Sequence, residues 1–371
     1  MIDSILADPE GDQEELERVR AELRKHKEEA DAQTAMLSAA EKDCPRQDKA
    51  GRWRTICTDL QQTLPCPKVN TQSAYYKMKL WLYNQSVVDL VTGKISYFPW
   101  TETQAERGSD EIASCLYEWV MQHINEGFKA LRVITDNCAG QNKNIYIVLM
   151  FMYLIQAGVL EEVNLEFMVA GHSFLPCDRG FGVLEKKFKL REMISTPAEY
   201  MKIIGTAKKA QVTQMDHTKF YDWKDLLNRI TFRKADKPVL FSKATRIRMY
   251  KDHPFKFFIE SPQGSAEVNL KKRRTSHLLT RDQLLLKYPN GVPLEIQEGK
   301  LNHLLVLFDF LDSNGQKWIN EVAAGQNNNP NARPEDLNPH PHLDIDEENI
   351  QDEDQSGDYV PYPPRRALNT T

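Results

Sequence analysis

Apolar positions recur along the chain in two periods, one for strands and one for helices. Glu14 to Lys42 is rich in Glu, Arg, Lys, Ala and Leu and holds neither Pro nor Gly, which predicts one exposed helix. Its apolar stripe (Leu16, Val19, Leu23) is thin and fades after Leu23, so it suits packing on a domain or a partner helix better than a long coiled coil. Cys44 to Gly51 breaks it. In Trp53 to Leu60, Ile56, Thr58 and Leu60 alternate with Cys57 and Asp59, the period of a strand, with Asp59 near its C-terminal end. Leu64 to Ser73 carries two prolines and is expected to be a loop. A second strand is predicted from Tyr75 through KMKLWLYNQSVVDLV, a turn at Thr92-Gly93, and an antiparallel return over Ile95 to Trp100.

The pattern then turns helical. Ser109 is placed to cap a helix from Asp110 to about Ile124, with Ile112, Leu116, Val120 and Ile124 facing inward and Glu111 at its entrance. Leu131, Val133 and Ile134 read as a buried strand that delivers Asp136 into an Asn/Gly-rich turn. Ile145 to Ile155 is apolar enough for a buried helix. Leu165 to Ala170 is the fifth strand and leads into GHSFLPCDRGFGVLEKK, where Asp178 precedes a helix carrying Glu185 two turns later. Asp222 to Ile230 suggests a helix, Pro238 to Glu260 two strands, and Leu301 to Leu311 an apolar segment docked on the body. From Gly325 apolar residues thin out and a disordered tail is expected. The domain reading is a charged helix and linker (1–49), a core (50–205), a basic α+β extension (206–324) and an acidic tail (325–371).

Composition narrows the class. At 371 residues and 41% hydrophobic, the chain can bury a sizeable core. No apolar run reaches the length that spans a bilayer, and Met1 is followed by acids rather than a basic-apolar signal, so an intracellular protein is expected. The six cysteines lack a regular close spacing and read as free thiols. Residues 1–49 have a balance of −6 and residues 331–371 one of −7, leaving +8 in the body against −5 for the whole chain. A basic body suits a polyanionic partner.

The order strand, two hairpin strands, helix, strand, helix, strand, helix, with acids at Asp59, Glu111, Asp136 and Asp178, resembles the ribonuclease H fold of nucleases, integrases and DDE-type transposases. The Gly-His pair at His172, followed by Asp178, is similar to the His loop and last carboxylate of ribonuclease H. More narrowly, DLQQTLPCP, RGSDEIASCL, TDNCAGQNKN and the GHS segment resemble a transposon-derived family of animal proteins known only as a domain of unknown function, over roughly residues 50 to 325. The resemblance implies an α/β fold: a mixed five-stranded sheet flanked by helices, with an N-terminal helix and a C-terminal α+β extension. It implies metal-dependent polynucleotidyl transfer or nuclease chemistry and a nucleic-acid partner with DNA in first place; a nuclear location is expected. Two Mg²⁺ or Mn²⁺ ions need several carboxylates on rigid elements, one of them bridging. Asp59 would bridge, Asp136 and Asp178 would complete the shells, Glu111 would be the fourth ligand, and Glu185 is the alternative third acid.

Each residue also has a plainer reading: Asp59 a strand end, Asp136 and Asp178 helix caps, Glu111 a helix-dipole residue, Glu185 part of a solvated face, and Asp89 a turn residue. A domesticated transposase domain that has lost catalysis and serves as a binding module is the alternative function. Asn137, Gln141, Asn142 and Lys143 form a polar helix entrance, with Lys143 the expected phosphate contact. Arg246, Arg248 and Lys251 stand among aromatics, and Lys271, Lys272, Arg273 and Arg274 form a basic block suited to phosphate contact, nuclear import or an exposed loop. If the acids converge, Cys57, Cys138 and Cys177 lie close by. With His172 they could bind zinc, but without a closely spaced pair they more simply line an apolar floor beneath the acids.

Overall fold

In the computed structural model the described residues are parts of 17–38, then 51–229 except 72–73, 75, 139 and 169–174, and 241–327 except 271–278, 281–282 and 292. They form strands β1 (Trp53–Leu60), β2 (Leu64–Cys66), β3 (Lys68–Val69), β4 (Leu80–Asp89), β5 (Ile95–Thr101), β6 (Ala130–Thr135), β7 (Glu162–Phe167), β8 (Met193–Ile194), β9 (Ala210–Val212), β10 (Arg246–Tyr250), β11 (Lys256–Ser261) and β12 (Gly264–Asn269). The helices are α1 (Ser109–His123), α2 (Ile145–Gln156), α3 (Pro176–Lys189), α4 (Pro197–Gly205), α5 (Trp223–Arg229), α6 (Glu298–Val306) and α7 (Ser313–Asn327). The described positions between 17 and 38 are helical, as the N-terminal composition predicts.

One mixed sheet organises the body, in the order β12-β11-β10-β7-β6-β1-β4-β5-β9, with β2 paired to β4. The α/β class holds, but the sheet has ten strands rather than five. β1, β6 and β7 run parallel, and β4 is antiparallel to both β1 and β5. Alternation in β1 splits its side chains between two cores. Ile56 and Leu60 pack beneath α1 and α2 with Leu131, Val133 and Leu165, while Cys57 lies with Ile134, Val88 and Tyr97 under Phe181, Leu184 and Phe188 of α3. Buried aliphatic positions of this kind contribute about 1.5–3 kcal/mol each. Helix α2 is apolar on all sides because α1, α5 and the sheet surround it.

The differences from the predicted elements are local. Ser109 is the first residue of α1 and Gly108 its N-cap; the Ser109 hydroxyl donates instead to the Gly140 carbonyl at 3.1 Å. β4 begins at Leu80 rather than Tyr75, and β7 starts three residues before the predicted strand. The prolines of 64–73 do not exclude strands, since β2 and β3 flank a cis Cys66–Pro67 bond. The region 206–324 is not appended to the core but continues its sheet, β9 pairing with β5 and β10 with β7. Leu304, Leu307 and Leu311 dock with Val69 and Leu80 as a third cluster. Among the described residues no helix is long and apolar enough to cross a membrane.

Candidate functional site

The parallel pairing of β1 and β6 matches Cys57 with Ile134 and Thr58 with Thr135, so the next residues, Asp59 and Asp136, leave neighbouring strands side by side. Helix α3 starts against the same strand ends and carries Asp178 in its first turn. Each carboxylate is held by short local bonds. Asp59 Oδ1 accepts from the Leu60 amide at 2.8 Å. Asp136 Oδ1 accepts from Asn142 Nδ2 at 2.7 Å and the Cys138 amide at 3.3 Å. Asp178 Oδ2 accepts from the Leu175 amide at 2.6 Å. The plain cap reading therefore holds for Asp178 at its own helix. Asp136 caps nothing; Asn144 caps α2, accepting from Tyr146 and Ile147 amides.

The three acids also act on one another. Burial, followed by the charges of Asp136 and Asp178, pushes Asp59 up to about 7. Burial raises Asp178 too, the Leu175 amide opposes the rise, and the charge of Asp136 adds to it. Like charges gathered at one sheet end, all hard oxygen donors, have the chemistry that suits a divalent cation. Among the described residues, however, no three His, Cys, Asp or Glu side chains stand in a metal-holding cluster, so the acids face each other without forming a closed ligand set.

The other nominated residues divide. Glu111 does not join the trio: it is fully buried, accepting from Lys287 Nζ at 2.8 Å and the Tyr288 hydroxyl at 2.6 Å. Gly108 leaves room for this, since a Cβ there would meet Glu111 Oε2 at 2.9 Å. Nothing local in the sequence signals it, because Lys287 is contributed from far down the chain. Glu185 stands two turns along α3 from Asp178, in a cleft whose lining includes none of the three acids. His172 and Lys271, Lys272, Arg273 and Arg274 lie outside the described residues.

The cations named for phosphate contact are largely paired. Lys143 is buried; its ammonium donates to Asn137 Oδ1 and the Ser242 carbonyl and lies 5.2 Å from the Phe167 ring centroid. Burial pushes it down to about 8. Arg246 pairs with Glu166 and Glu260 at 3.2 Å, and Arg248 with Glu260. With Arg132–Glu166 they form a ladder across β6, β7, β10 and β11 in which three arginines share two glutamates. Asp89 is a turn residue, accepting from the Val91 and Thr92 amides and from Arg54.

The thiols line the floor. Cys57 and Cys177 are buried with sulfurs 3.7 Å apart, and burial first of all raises the Cys57 thiol. Cys138 sits half-buried beside Asp136. Sequence reasoning missed a buried polar row across β1 and β4: Gln85 Nε2 donates to Thr58 Oγ1 at 2.7 Å and Asn84 Nδ2 to Gln61 Oε1 at 2.9 Å. Ser86 of that row lies opposite Asp59 in register. Its signal, polar residues inside a strand whose neighbours are apolar, resembles a turn when read locally.

Residues 61–260 match the model of a family described as Domain of unknown function (DUF7869). The chain belongs to that family. No curated protein matches it, and no solved structure does. The DUF7869 segment contains Glu111, Asp136 and Asp178, while Asp59 stands two residues before it. It ends at Glu260, within β11, so it includes β10, which seals the edge of β7.

Proposed function

We propose that this protein is a transposon-derived polynucleotidyl transferase or nuclease of the ribonuclease H-like kind, acting on nucleic-acid phosphodiesters, DNA first, in the nucleus. The observation that carries the reading is the facing of Asp59, Asp136 and Asp178 at the ends of two parallel strands and one helix. The central order β7-β6-β1-β4-β5, with β4 reversed, supports it. Asp59, Asp136 and Asp178 would hold Mg²⁺ or Mn²⁺. Such ions supply a nucleophile activated at neutral pH and stabilisation of the leaving oxygen. The chain's own part is positional. Asn142 fixes the Asp136 carboxylate, the Leu175 amide fixes Asp178, and the apolar floor of Cys57, Cys177 and Ile134 keeps water from beneath the acids.

A catalytically inactive binding module is the second reading, favoured by the open arrangement of the acids, which lack a closed cluster among the described residues. Incubation of end-labelled DNA with Mn²⁺ and the full chain separates the two. The enzyme reading expects cleavage or strand joining that Asp136→Asn reduces by at least 10²-fold. Equal product from both proteins, or none from either together with no acid-dependent Mn²⁺ uptake by calorimetry, would leave the binding module.

A further inference from the structure

A cleft of about 520 Å³ is lined among others by Gln62, Thr63, Lys68, Lys79, Glu185 and Lys189. One wall is the segment leaving β1, beginning three residues past Asp59; the other is the second half of α3, whose first turn carries Asp178. The cleft is thus built from the continuations of the strand that carries Asp59 and the helix that carries Asp178. Glu185 lies about 10 Å along α3 from Asp178, at 1.5 Å per helical residue, or about three base steps of 3.4 Å.

Its charge differs from that of the cations named on sequence grounds. Arg246 and Arg248 are tied up in ion pairs with Glu166 and Glu260, and Lys143 is buried. Lys79 and Lys189 have no carboxylate partner among the described residues, and Lys68 donates only to the Arg191 carbonyl at 2.5 Å. Burial lowers both Lys68 and Lys79, as it does for ammonium groups held without a counter-charge. The polar groups between them (Gln62, Thr63, Asn70, Thr71) are of the types that donate to phosphate oxygens. Three lysines against the single carboxylate of Glu185 leave a concave, positive surface running away from a negative one.

We propose that this cleft is the track for the sugar-phosphate backbone of one nucleic-acid strand entering the acidic site, with Lys79 and Lys189 as its phosphate contacts. The assignment rests on the reading of the trio as the place where a phosphodiester is presented. It gives Glu185 a role apart from metal binding, as the acid that borders the track. Phosphate contacts of this kind neutralise charge and release counterions, so they weaken with salt.

The test uses the full chain and a fluorescein-labelled single-stranded DNA 20-mer, with anisotropy measured between 50 and 300 mM KCl. Lys79→Gln combined with Lys189→Gln is expected to weaken binding about tenfold or more at low salt. It should also flatten the plot of log K against log salt by about 1.4, at about 0.7 per phosphate on a single strand. Lys68 is left in place because its bond to the Arg191 carbonyl ties two segments together, and melting of the double variant at the parent temperature shows that it folds. Unchanged affinity and slope in that variant, or no binding by the parent chain, would overturn the proposal. Lysine-dependent binding without any cleavage overturns the catalytic reading alone. Cleavage that is lost in Asp136→Asn while binding ignores the lysines overturns the track alone.

Discussion

Asp59 is the residue on which the site turns, because burial and the charges of both other acids act on its carboxyl. Its carboxyl is raised from the ordinary 3.8 to about 7 by burial and by Asp136 and Asp178. The sign of the consequence is fixed: the folded state holds that proton up to about pH 7, whereas the unfolded chain releases it near pH 4. Asp59 therefore favours folding below its unfolded pKa and loses that advantage as pH rises through about 7. At pH 8 the ionised carboxylate is held against its neighbours' charge. Asp59→Asn is expected to be about 1–3 kcal/mol more stable than the parent at pH 8, with the gain vanishing toward pH 4. Urea unfolding at the two pH values measures it, and a difference that does not change with pH would mean that Asp59 is not electrostatically strained. This convergence was expected from the sequence only through the resemblance in strand order, since alternation by itself does not tell which strands become parallel neighbours whose C-terminal ends meet. The burial of Glu111 was not, since its partner is brought by folding and not by spacing.

At the scale of elements, legibility followed how much of an element's pattern is its own. β1, with clean alternation, and α2, apolar throughout, were readable within a residue or so. β2 and β9 are three residues long and exist because a longer neighbour offers free amides and carbonyls, and β3 pairs only with the equally short β8, so no periodicity announces them. The strap at Lys287 and Tyr288 is the extreme case: it has little regular structure, yet it fixes the start of α1. Lys287 contacts Glu111, Glu106 and Asp110 at 2.8, 3.0 and 3.4 Å, and Glu111, Tyr288 and Asp110 raise its pKa against the pull of burial. Removing one partner of such a buried pair leaves the other charged and unpaired, at about 3–5 kcal/mol. Lys287→Met should therefore lose about that much in urea denaturation. Adding Glu111→Gln should restore part of the loss, a coupling visible only if the two side chains touch. Strictly additive effects would separate the strap from the helix.

For the whole molecule the question is where the folding unit ends, because the sequence suggested a core closing near residue 205 and an extension that follows it. The contacts argue otherwise. Met215, Phe220, Trp223, Ile247, Met249 and Phe257 all lie in the main hydrophobic core with Ile56, Leu131 and Phe151. Trp223 Nε1 and the Tyr221 amide both donate to the Ser114 hydroxyl on α1, at 3.2 and 3.0 Å. β9 covers β5 and β10 covers β7, so cutting the chain at 205 would strip both edges of the central sheet at once and expose unpaired strands. Six large apolar side chains at about 1.5–3 kcal/mol each amount to roughly 9–18 kcal/mol, comparable to the entire stability of an ordinary domain at about 5–15 kcal/mol. A chain ending at residue 205 is accordingly expected to lack a cooperative thermal transition and the near-ultraviolet dichroism of packed Trp100 and Trp119, and to aggregate through its open edges. The full chain should melt in one step, with Trp223 fluorescence and backbone ellipticity changing together. If the shortened chain melted cooperatively instead, the strands after 205 would be a covering laid over an autonomous core, and the acidic site would not need them to form.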